Sequence, residues 1–286
     1  TPVLPAVTVH ASRFEEKSTE ALPQTTLVTE EDIRNSGAVT VSDILSKVVG
    51  LSTRINLDGS SNAVVDMRGY GDTADNNVVI LLDGVRLSEN EQASARTSMI
   101  PVEIIDHIEV HPGGNSVLYG DGAMGGTINI VTKKNLGEVT VVSGGLSSYA
   151  GYQNSLFHSR DLGSSQLSIF GKGLNSDGYR EGATTKERSA GLNWTTTVDA
   201  TSFAGVRLLT SRERNTLPGP LPSTWLNTAP TRSEVPGYQY GADADVSSIT
   251  VFGGKKFNNI ELLVDMSRRE KTFDTRYRYN AIDVYS

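Results

Sequence analysis

Apolar and polar side chains alternate along most of the chain after residue 136. The alternating segments are roughly ten residues long and are separated by Gly, Asn, Asp, Ser or Pro, which predicts antiparallel strands. The segment 260–267 is typical, with Leu263 as its one apolar exception, and its apolar face consists of Ile260, Leu262, Val264 and Met266. The Pro-rich stretch 217–222 predicts a long loop. We expect about seven or eight strands in this half of the chain.

The first 135 residues predict a compact domain of mixed helices and strands. Thr29 followed by acidic residues has the pattern of a helix N-terminus, and Gly37 is placed to end that short helix. The stretch 40–50 repeats this design, with a cap, an apolar i, i+3, i+4 face and a terminal glycine. Three short strands are predicted after the helices, at 64–68, 78–82 and 107–111.

The stretch 120–125 contains a literal G-x-G-x-x-G, a pattern that can bind a dinucleotide. In such folds the glycines open a helix whose N-terminal amides hold the pyrophosphate. Here they lead into TINIVT at 127–132, whose β-branched residues favour a strand. The pattern therefore indicates a tight turn with close backbone packing, and it disfavours a nucleotide-dependent enzyme.

Composition excludes several classes of function. The net charge of −7 argues against a nucleic-acid-binding surface. The absence of cysteine excludes a disulfide framework and a thiol nucleophile, and four scattered histidines without H-E-x-x-H disfavour a zinc hydrolase. The sequence contains no apolar run of 18 residues, which a transmembrane helix would need. A transmembrane barrel does not need such a run, because its apolar side chains alternate with polar ones along each strand. The N-terminus has no signal sequence, so we expect a cytosolic chain or a signal already removed.

Four stretches then occur in a recognisable order: VTVHA at 7–11, MRGY at 67–70, VILLDGV at 79–85, and the long stretch 105–132 that runs from IDHIEV to TINIVT. Together they resemble the TonB box and the conserved motifs of the plug domain of TonB-dependent outer-membrane receptors. The long fourth stretch is the most specific, and the resemblance covers residues 5–134. One departure is Gly113-Gly114, where the family usually has Gly-Pro.

The resemblance implies an α+β plug domain inside an antiparallel transmembrane β-barrel, which has 22 strands in this family. Residues 1–11 are then the TonB-box region, 12–135 the plug, and 136–286 the N-terminal strands of an incomplete barrel. Closing such a barrel takes several hundred residues after the plug. We therefore expect the chain to be a fragment, or the ordered part, of a longer receptor.

The resemblance also implies TonB-dependent import of a scarce chelated nutrient across the outer membrane of a Gram-negative bacterium. We expect no enzymatic activity, catalytic residue, bound metal or cofactor. The implied partners are the TonB C-terminal domain, outer-membrane lipid and a small-molecule metal chelate. An extended N-terminal segment can add as a strand to the edge of TonB's sheet. The residues predicted to bind TonB are Pro5, Ala6, Val7, Thr8, Val9, His10 and Ala11.

The ligand is expected on three polar loops between plug strands, at 56–62, 71–77 and 88–98. Arg96 is the best single candidate, because a guanidinium suits carboxylate, phosphate or catecholate oxygens. The full predicted set is Asp58, Ser60, Asp72, Asn76, Asn90, Gln92 and Arg96.

Charged residues on the predicted interior strands suggest a different role. Arg68 and Glu109 are expected to act as a structural latch, pairing with each other or with charges on the barrel wall. His107 and His111 lie roughly 13 Å apart along one strand, which is too far for the two to chelate one metal.

The ligand itself is left open by the sequence. A ferric siderophore is the first expectation, and cobalamin, haem or a copper complex are the alternatives. VTVHASRFEE is similar to the opening of cobalamin receptors, but the stretch 212–237 lacks the Asp residues of their calcium loops. The predicted plug loops contain no His to ligate haem. A secreted, soluble β-sandwich binding protein is the alternative from a different class.

Overall fold

The computed structural model divides the chain into two compact units. The first comprises Thr1–Asn56 and Asn62–Lys134, and the second comprises Leu57–Ser61 and Asn135–Ser286. The residues that the structure describes are 8–9, 16–17, 25–56, 58–89, 93–114, 116–134, 137–233, 240–258, 260–279 and 282–285.

The helices of the first unit begin and end where local sequence signals place them. In α1 (Glu30–Ser36), Thr29 and Asp32 form a capping box, and Gly37 ends the helix at φ 59°. The predicted second helix is only partly α-helical. It begins as α2 (Val41–Ile44), continues as a π-helix over Leu45–Val49 and ends at Gly50, where φ is 75°.

A five-stranded sheet forms the centre of the first unit, in the order β3-β8-β9-β6-β7. Only the β6–β9 pair is parallel. Fully buried apolar side chains from the sheet and the helices make its core: Val28, Val41, Ile44, Leu45, Val79, Ile108, Ile128 and Ile130. The strands are β3 (Thr26–Thr29), β6 (Val78–Leu82), β7 (Val85–Arg86), β8 (Ile105–Pro112) and β9 (Gly126–Thr132).

Shorter elements complete the first unit. Two separate two-stranded pairs are present, β1 (Thr8–Val9) with β2 (Glu16–Lys17) and β4 (Ser52–Ile55) with β5 (Ala63–Asp66). The short helical elements are α3 (Ser116–Tyr119) and 3-10 turns at Gly71–Asn76, Thr97–Met99 and Val102–Ile104.

The predicted strand at 64–68 is wrong at its C-terminal end. β5 stops at Asp66, whose carboxylate accepts hydrogen bonds from the N–H groups of Gly69, Tyr70 and Gly71 at 2.8–3.1 Å. Arg68 lies inside this turn, with φ at 76°, and not on a strand. An aspartate that binds backbone N–H groups a few residues ahead offers the chain an alternative to the sheet.

The glycine-rich stretch forms a tight turn between α3 and β9, as predicted, and no helix follows it. Gly120 and Gly122 adopt φ values of 76° and 85°. At Gly125, an added Cβ atom would lie 2.9 Å from the carbonyl oxygen of Asn77 and 3.2 Å from that of Met67. Only glycine therefore allows the backbones to approach this closely.

The second unit contains an eight-stranded antiparallel sheet whose strands follow chain order. The described part of the chain contains no helix that is long and apolar enough to cross a membrane. Residues 218–233 follow β14 outside any strand, as the prolines predict, and contain a 3-10 turn at Ser223–Trp225. The strands are β10 (Val139–Ser147), β11 (Gly151–Asp161), β12 (Ser165–Ser176), β13 (Thr184–Asp199), β14 (Ser202–Leu217), β15 (Tyr240–Phe257), β16 (Ile260–Tyr279) and β17 (Ile282–Tyr285).

The two ends of this sheet differ. One end has tight turns at 162–164 and 200–201, and we call it the short-turn end. At the other end the turn 148–150 joins β10 to β11, and residues 177–183 and 218–233 lie outside the strands; we call it the long-loop end. Strand length also rises along the sheet, from 9 residues in β10 to 20 residues in β16.

The faces of this sheet have the reverse of the usual polarity. Large apolar side chains on one face are solvent-exposed, and Met266 is 75% exposed. We call them the apolar belt: Val142, Leu156, Ile169, Trp194, Leu208, Ile249, Val251, Ile260, Leu262, Val264 and Met266. The opposite face buries many small or polar residues, among them Ser155, Ser159, Glu187, Ser211, Glu213 and Asn215. Leu263, the apolar exception, is half-buried there.

Candidate functional site

The first predicted ligand loop is held by hydrogen bonds within the second unit. Asp58 Oδ1 accepts from the backbone N–H and the hydroxyl of Ser60, at 2.9 and 2.6 Å. Thr185 Oγ1 donates to the carbonyl of Gly59 at 2.7 Å, and the Ser61 N–H donates to Glu187 Oε1 at 2.8 Å. These bonds fix the conformation of 58–61 on β13, so the ligand role of Asp58 and Ser60 stays a prediction.

The second predicted loop is the more accessible one. It forms the 3-10 turn Gly71–Asn76, on which Asp72 and Asn76 are exposed. Asp72 forms an ion pair with Arg54, which leaves its side chain 83% exposed. Asp75, on the inner side of the turn, accepts a hydrogen bond from Ser94 Oγ at 3.1 Å, and burial raises its pKa. The turn therefore exposes the polar side chains of Asp72 and Asn76, while the bond between Ser94 and Asp75 holds its inner side in place.

The third predicted loop is largely buried where the structure describes it. Arg96, expected on an open polar loop, is only 3% exposed and immediately precedes the 3-10 turn Thr97–Met99. The Ser98 N–H donates a hydrogen bond to Asn62 Oδ1 at 2.9 Å, and this bond holds the segment against Asn62. A ligand could reach Arg96 only if the loop rearranged. Asn90 and Gln92 lie outside the described residues.

The residues on either side of Arg96 are small and are buried as well. Ser94, Ala95 and Ser98 are buried, and they are followed by the buried pair Met99 and Ile100. Serine and alanine fit a packed interior when their polar groups are bonded. The apolar pair directly after the polar stretch was the one signal in the sequence that favoured burial.

Sequence reasoning also missed a buried polar network on β8. His107, Glu109 and His111 alternate along the strand, so all three face one side of the sheet, and all are buried. Glu109 Oε2 accepts from Asn129 Nδ2 at 3.0 Å and lies 3.8 Å from His111 Nε2, while Oε1 lies 3.4 Å from His107 Nε2. Glu109 and Asn129 are direct partners across β8 and β9, a pairing that the sequence alone does not reveal.

The pKa of His107 is shifted by this network. Burial alone would lower it, but hydrogen bonds with Asp106 and Glu109 outweigh burial and raise the pKa of His107 to about 9. The His107 Nδ1 atom lies 2.6 Å from Asp106 Oδ2, and this bond lowers the pKa of Asp106. At neutral pH His107 is therefore a buried cation beside the fully buried Glu109.

Both histidine Nε2 atoms thus point at the carboxylate between them. Among the described residues, no three His, Asp or Glu side chains are arranged to hold a metal ion. The network accounts for how Glu109 is held in the plug interior. The predicted role of Arg68 and Glu109 as a latch stays a prediction.

Only part of the predicted TonB-binding segment is described. Thr8 and Val9 form β1 and pair with Lys17 and Glu16 of β2, so these two residues are extended, as a strand donor should be. The other five predicted residues, Pro5, Ala6, Val7, His10 and Ala11, lie outside the described residues.

Comparisons with known proteins place these features in a family. Residues 18–127 match the model of the TonB-dependent Receptor Plug Domain. The Vitamin B12 transporter BtuB of Vibrio cholerae serotype O1 is 34% identical over 143 residues, which is 50% of this chain and 23% of the transporter. The chain thus spans less than a quarter of the curated relatives that it matches.

Solved structures share the fold over nearly the whole chain. The ferric yersiniabactin uptake receptor FyuA from Yersinia pestis has a TM-score of 0.76 at 16% identity, over 92% of this chain and 43% of the receptor. The alcaligin outer membrane receptor FauA from Bordetella pertussis has a TM-score of 0.70 at 15% identity, over 97% and 48%. Residues 18–127 therefore belong to the plug-domain family of TonB-dependent receptors, and the eight-stranded sheet of the second half has the fold of the corresponding part of the solved receptors.

Proposed function

We propose that this protein is an outer-membrane receptor that imports a scarce nutrient, bound in a small-molecule metal chelate, with energy supplied through TonB. The observation that carries the proposal is the reversed polarity of the β10–β16 sheet, in the same chain as a plug domain. The apolar belt faces outward, while serine, glutamate and asparagine side chains are covered. This distribution is typical of a transmembrane barrel that encloses a polar interior.

The polarity of this sheet also weighs against a soluble β-sandwich. In a sandwich the apolar face of each sheet is buried and the polar face meets water. Burying a large aliphatic side chain contributes about 1.5–3 kcal/mol, and the exposed belt on this sheet forgoes that contribution in water. If the belt faces membrane hydrocarbon instead of water, its apolar side chains are no longer exposed to water and this loss does not arise.

Coupling to TonB is supported by where the N-terminal strands lie. Within the described residues β1 pairs with β2 over Thr8–Val9, so TonB's sheet could replace β2 as its partner. Traction then reaches β3, an edge strand joined to β8 over four residue pairs. Two side-chain contacts strengthen the attachment of this segment. Thr25 Oγ1 lies 3.0 Å from His111 Nδ1, and Lys133 forms an ion pair with Glu30 at 2.8 Å. Detaching β3 costs less than unfolding the whole plug.

For the ligand, a ferric siderophore is the first candidate and cobalamin the second. Asp72 and Asn76 are the accessible predicted residues, and they supply hydrogen-bonding groups for either chelate. The absence of Asp from 212–237 favours the siderophore over a calcium-dependent cobalamin site. The 34% identity with the Vitamin B12 transporter BtuB is the observation that keeps cobalamin as the second candidate.

Uptake in a deletion strain tests the proposal. The strain should regain growth on a ferric siderophore as the sole iron source when the native gene is restored, and lose it when the energised TonB is absent. A variant without residues 5–11 should still bind the chelate but should not transport it. Growth rescue by cyanocobalamin alone would select the second candidate, while transport that is independent of TonB would refute the proposal.

A further inference from the structure

Four Asp-Gly pairs occur in the sequence, at 58–59, 83–84, 121–122 and 177–178. Such a pair can close on itself, because glycine has no side chain to shield its backbone nitrogen. The nitrogen attacks the carboxyl carbon of the aspartate side chain and a water molecule leaves, which forms a cyclic succinimide. Water then opens the ring at either carbonyl group. The product is aspartate or isoaspartate, in which the main chain runs through the former side chain.

Three of the four pairs are held in arrangements that oppose ring closure. The Asp83 carboxylate accepts hydrogen bonds from the N–H and the hydroxyl of Thr132. The Asp58 carboxylate likewise accepts two hydrogen bonds from the residue two positions ahead. At 177–178 the glycine N–H donates to Ser176 Oγ at 3.2 Å and not to the aspartate. The structure has to open locally before any of these pairs can react.

The pair at 121–122 is arranged for ring closure. It lies in the tight turn between α3 and β9, where Asp121 is exposed to water. The Gly122 N–H donates to Asp121 Oδ1 at 2.9 Å, so the attacking nitrogen already lies beside the carboxyl group. Two reacting groups that are held close together in this way have lost most of the entropy that opposes their reaction.

Arg86 activates the same peptide group. Its Nη1 atom donates to the carbonyl oxygen of Asp121 at 2.7 Å, and this carbonyl is bonded directly to the Gly122 nitrogen. The nitrogen loses its proton when it attacks, and the negative charge that develops is shared with the carbonyl oxygen. A guanidinium that is already bound to this oxygen stabilises the charge. Arg86 therefore favours the nucleophilic form of the nitrogen.

The modified turn would lie against the second predicted ligand loop. A Cβ added at Gly122 would be 3.2 Å from the carbonyl oxygen of Asn76, so the two backbones are in close contact. The Gly125 N–H donates to the carbonyl of Asn77 at 2.7 Å. Isoaspartate inserts a methylene group into the main chain at this contact. The turn Gly71–Asn76 then loses the backbone support that positions it.

We infer that Asp121–Gly122 is a site of spontaneous isoaspartate modification, promoted by Arg86, and that the modification loosens the turn Gly71–Asn76. The reaction consumes no partner other than water, since one water molecule leaves and another returns. Its importance for chelate binding rests on the proposed function, because that turn carries the accessible candidates for the ligand site.

Storage of the purified protein in water labelled with heavy oxygen tests the modification, at physiological temperature and pH. Each ring that opens takes up one oxygen atom from water, so the label records ring closure even where aspartate forms again. Peptide mass spectrometry with electron-transfer fragmentation locates the label and separates isoaspartate from aspartate. We expect at least about tenfold more label at Asp121 than at the other three Asp-Gly pairs, because those pairs must open first.

Four variants separate the contributions of the residues. D121E keeps the charge but requires a larger ring, which closes far more slowly, so this peptide should lose its label. R86Q keeps a neutral donor and should slow labelling by about tenfold, whereas R86K keeps a cation and should restore part of the rate. The matched control is R34Q, which changes an exposed arginine of α1 and should label like the wild type.

Hydrogen exchange of the peptide 71–77 tests the consequence. It should become faster during storage of the wild type and stay constant in D121E. Equal labelling at all four Asp-Gly pairs, or undiminished labelling in D121E, would overturn the modification site. Equal rates in R86Q and R86K would overturn the role of Arg86, and unchanged exchange at 71–77 in modified protein would overturn the loosening. None of these results depends on a chelate, so transport that is independent of TonB would refute the proposed function and leave this inference standing.

Discussion

Raising the pH should weaken the plug sheet through one side chain, His107. Its pKa in the folded protein, about 9, lies above the ordinary value of 6.5, because Asp106 and Glu109 stabilise the imidazolium. A group with a raised pKa stabilises the fold fully below its unfolded pKa and loses that contribution as the pH rises through the folded pKa. The loss should therefore fall between about pH 6.5 and pH 9.

The size of this effect follows from the difference between the two pKa values. At about 1.36 kcal/mol per unit, it corresponds to about 3 kcal/mol. Asp106 is 49% exposed, so solvent screens part of its contribution. We therefore expect β8 and β9 to lose about 2–3 kcal/mol of opening free energy over this range.

The assay is hydrogen exchange in the purified protein, measured by mass spectrometry on peptides from β8 and β9 at about pH 6 and about pH 10. After correction for the intrinsic exchange rates, the opening free energy of the wild type should be lower at the higher pH. In Asp106→Asn the loss should be smaller and should end at lower pH, since one of the two carboxylates that raise the pKa of His107 in the folded protein is replaced by a neutral amide. His107→Gln should abolish this pH dependence. An equal pH dependence in wild type and His107→Gln would refute the reasoning.

Three further substitutions test other parts of the structure. Gly125→Ala should destabilise the plug by more than about 1 kcal/mol, because the added Cβ would lie 2.9 Å from the Asn77 carbonyl oxygen. The control is Gly114→Ala, whose added Cβ has no atom within 4 Å and which should leave the exchange rates of the plug unchanged in the same assay. Thr29→Ala removes the N-cap of α1 and should cost about 0.5–2 kcal/mol, measured as faster exchange confined to that helix. Asp72→Ala should weaken chelate binding, measured by calorimetry, without changing exchange elsewhere in the plug; unchanged affinity would remove Asp72 from the ligand site.

Features encoded within a few residues could be predicted from the sequence. The ends of α1 follow from Thr29 and Gly37, because caps act on their own helix. The outward face of β16 follows from the alternation between Ile260 and Met266, in which Leu263 is the one apolar exception. The turn at 120–125 follows from the strand-forming residues that come after it.

Features that depend on distant partners could not be predicted. The network around Glu109 requires the pairing of β8 with β9, which places Asn129 opposite it. The burial of Arg96 depends on packing around it, and its polar neighbours suggested an open loop instead. In each case tertiary contacts override the local pattern.

Strand length gives the second unit an uneven height. At about 3.3 Å per residue and a tilt near 45°, the 9 residues of β10 rise roughly 20 Å, whereas the 20 residues of β16 rise roughly 45 Å. An apolar band of about 25 Å accounts for the first strand but not for the last. In the proposed outer-membrane setting the later strands therefore extend beyond the lipid, and a chelate that approaches from that side would contact protein before it reaches the bilayer surface.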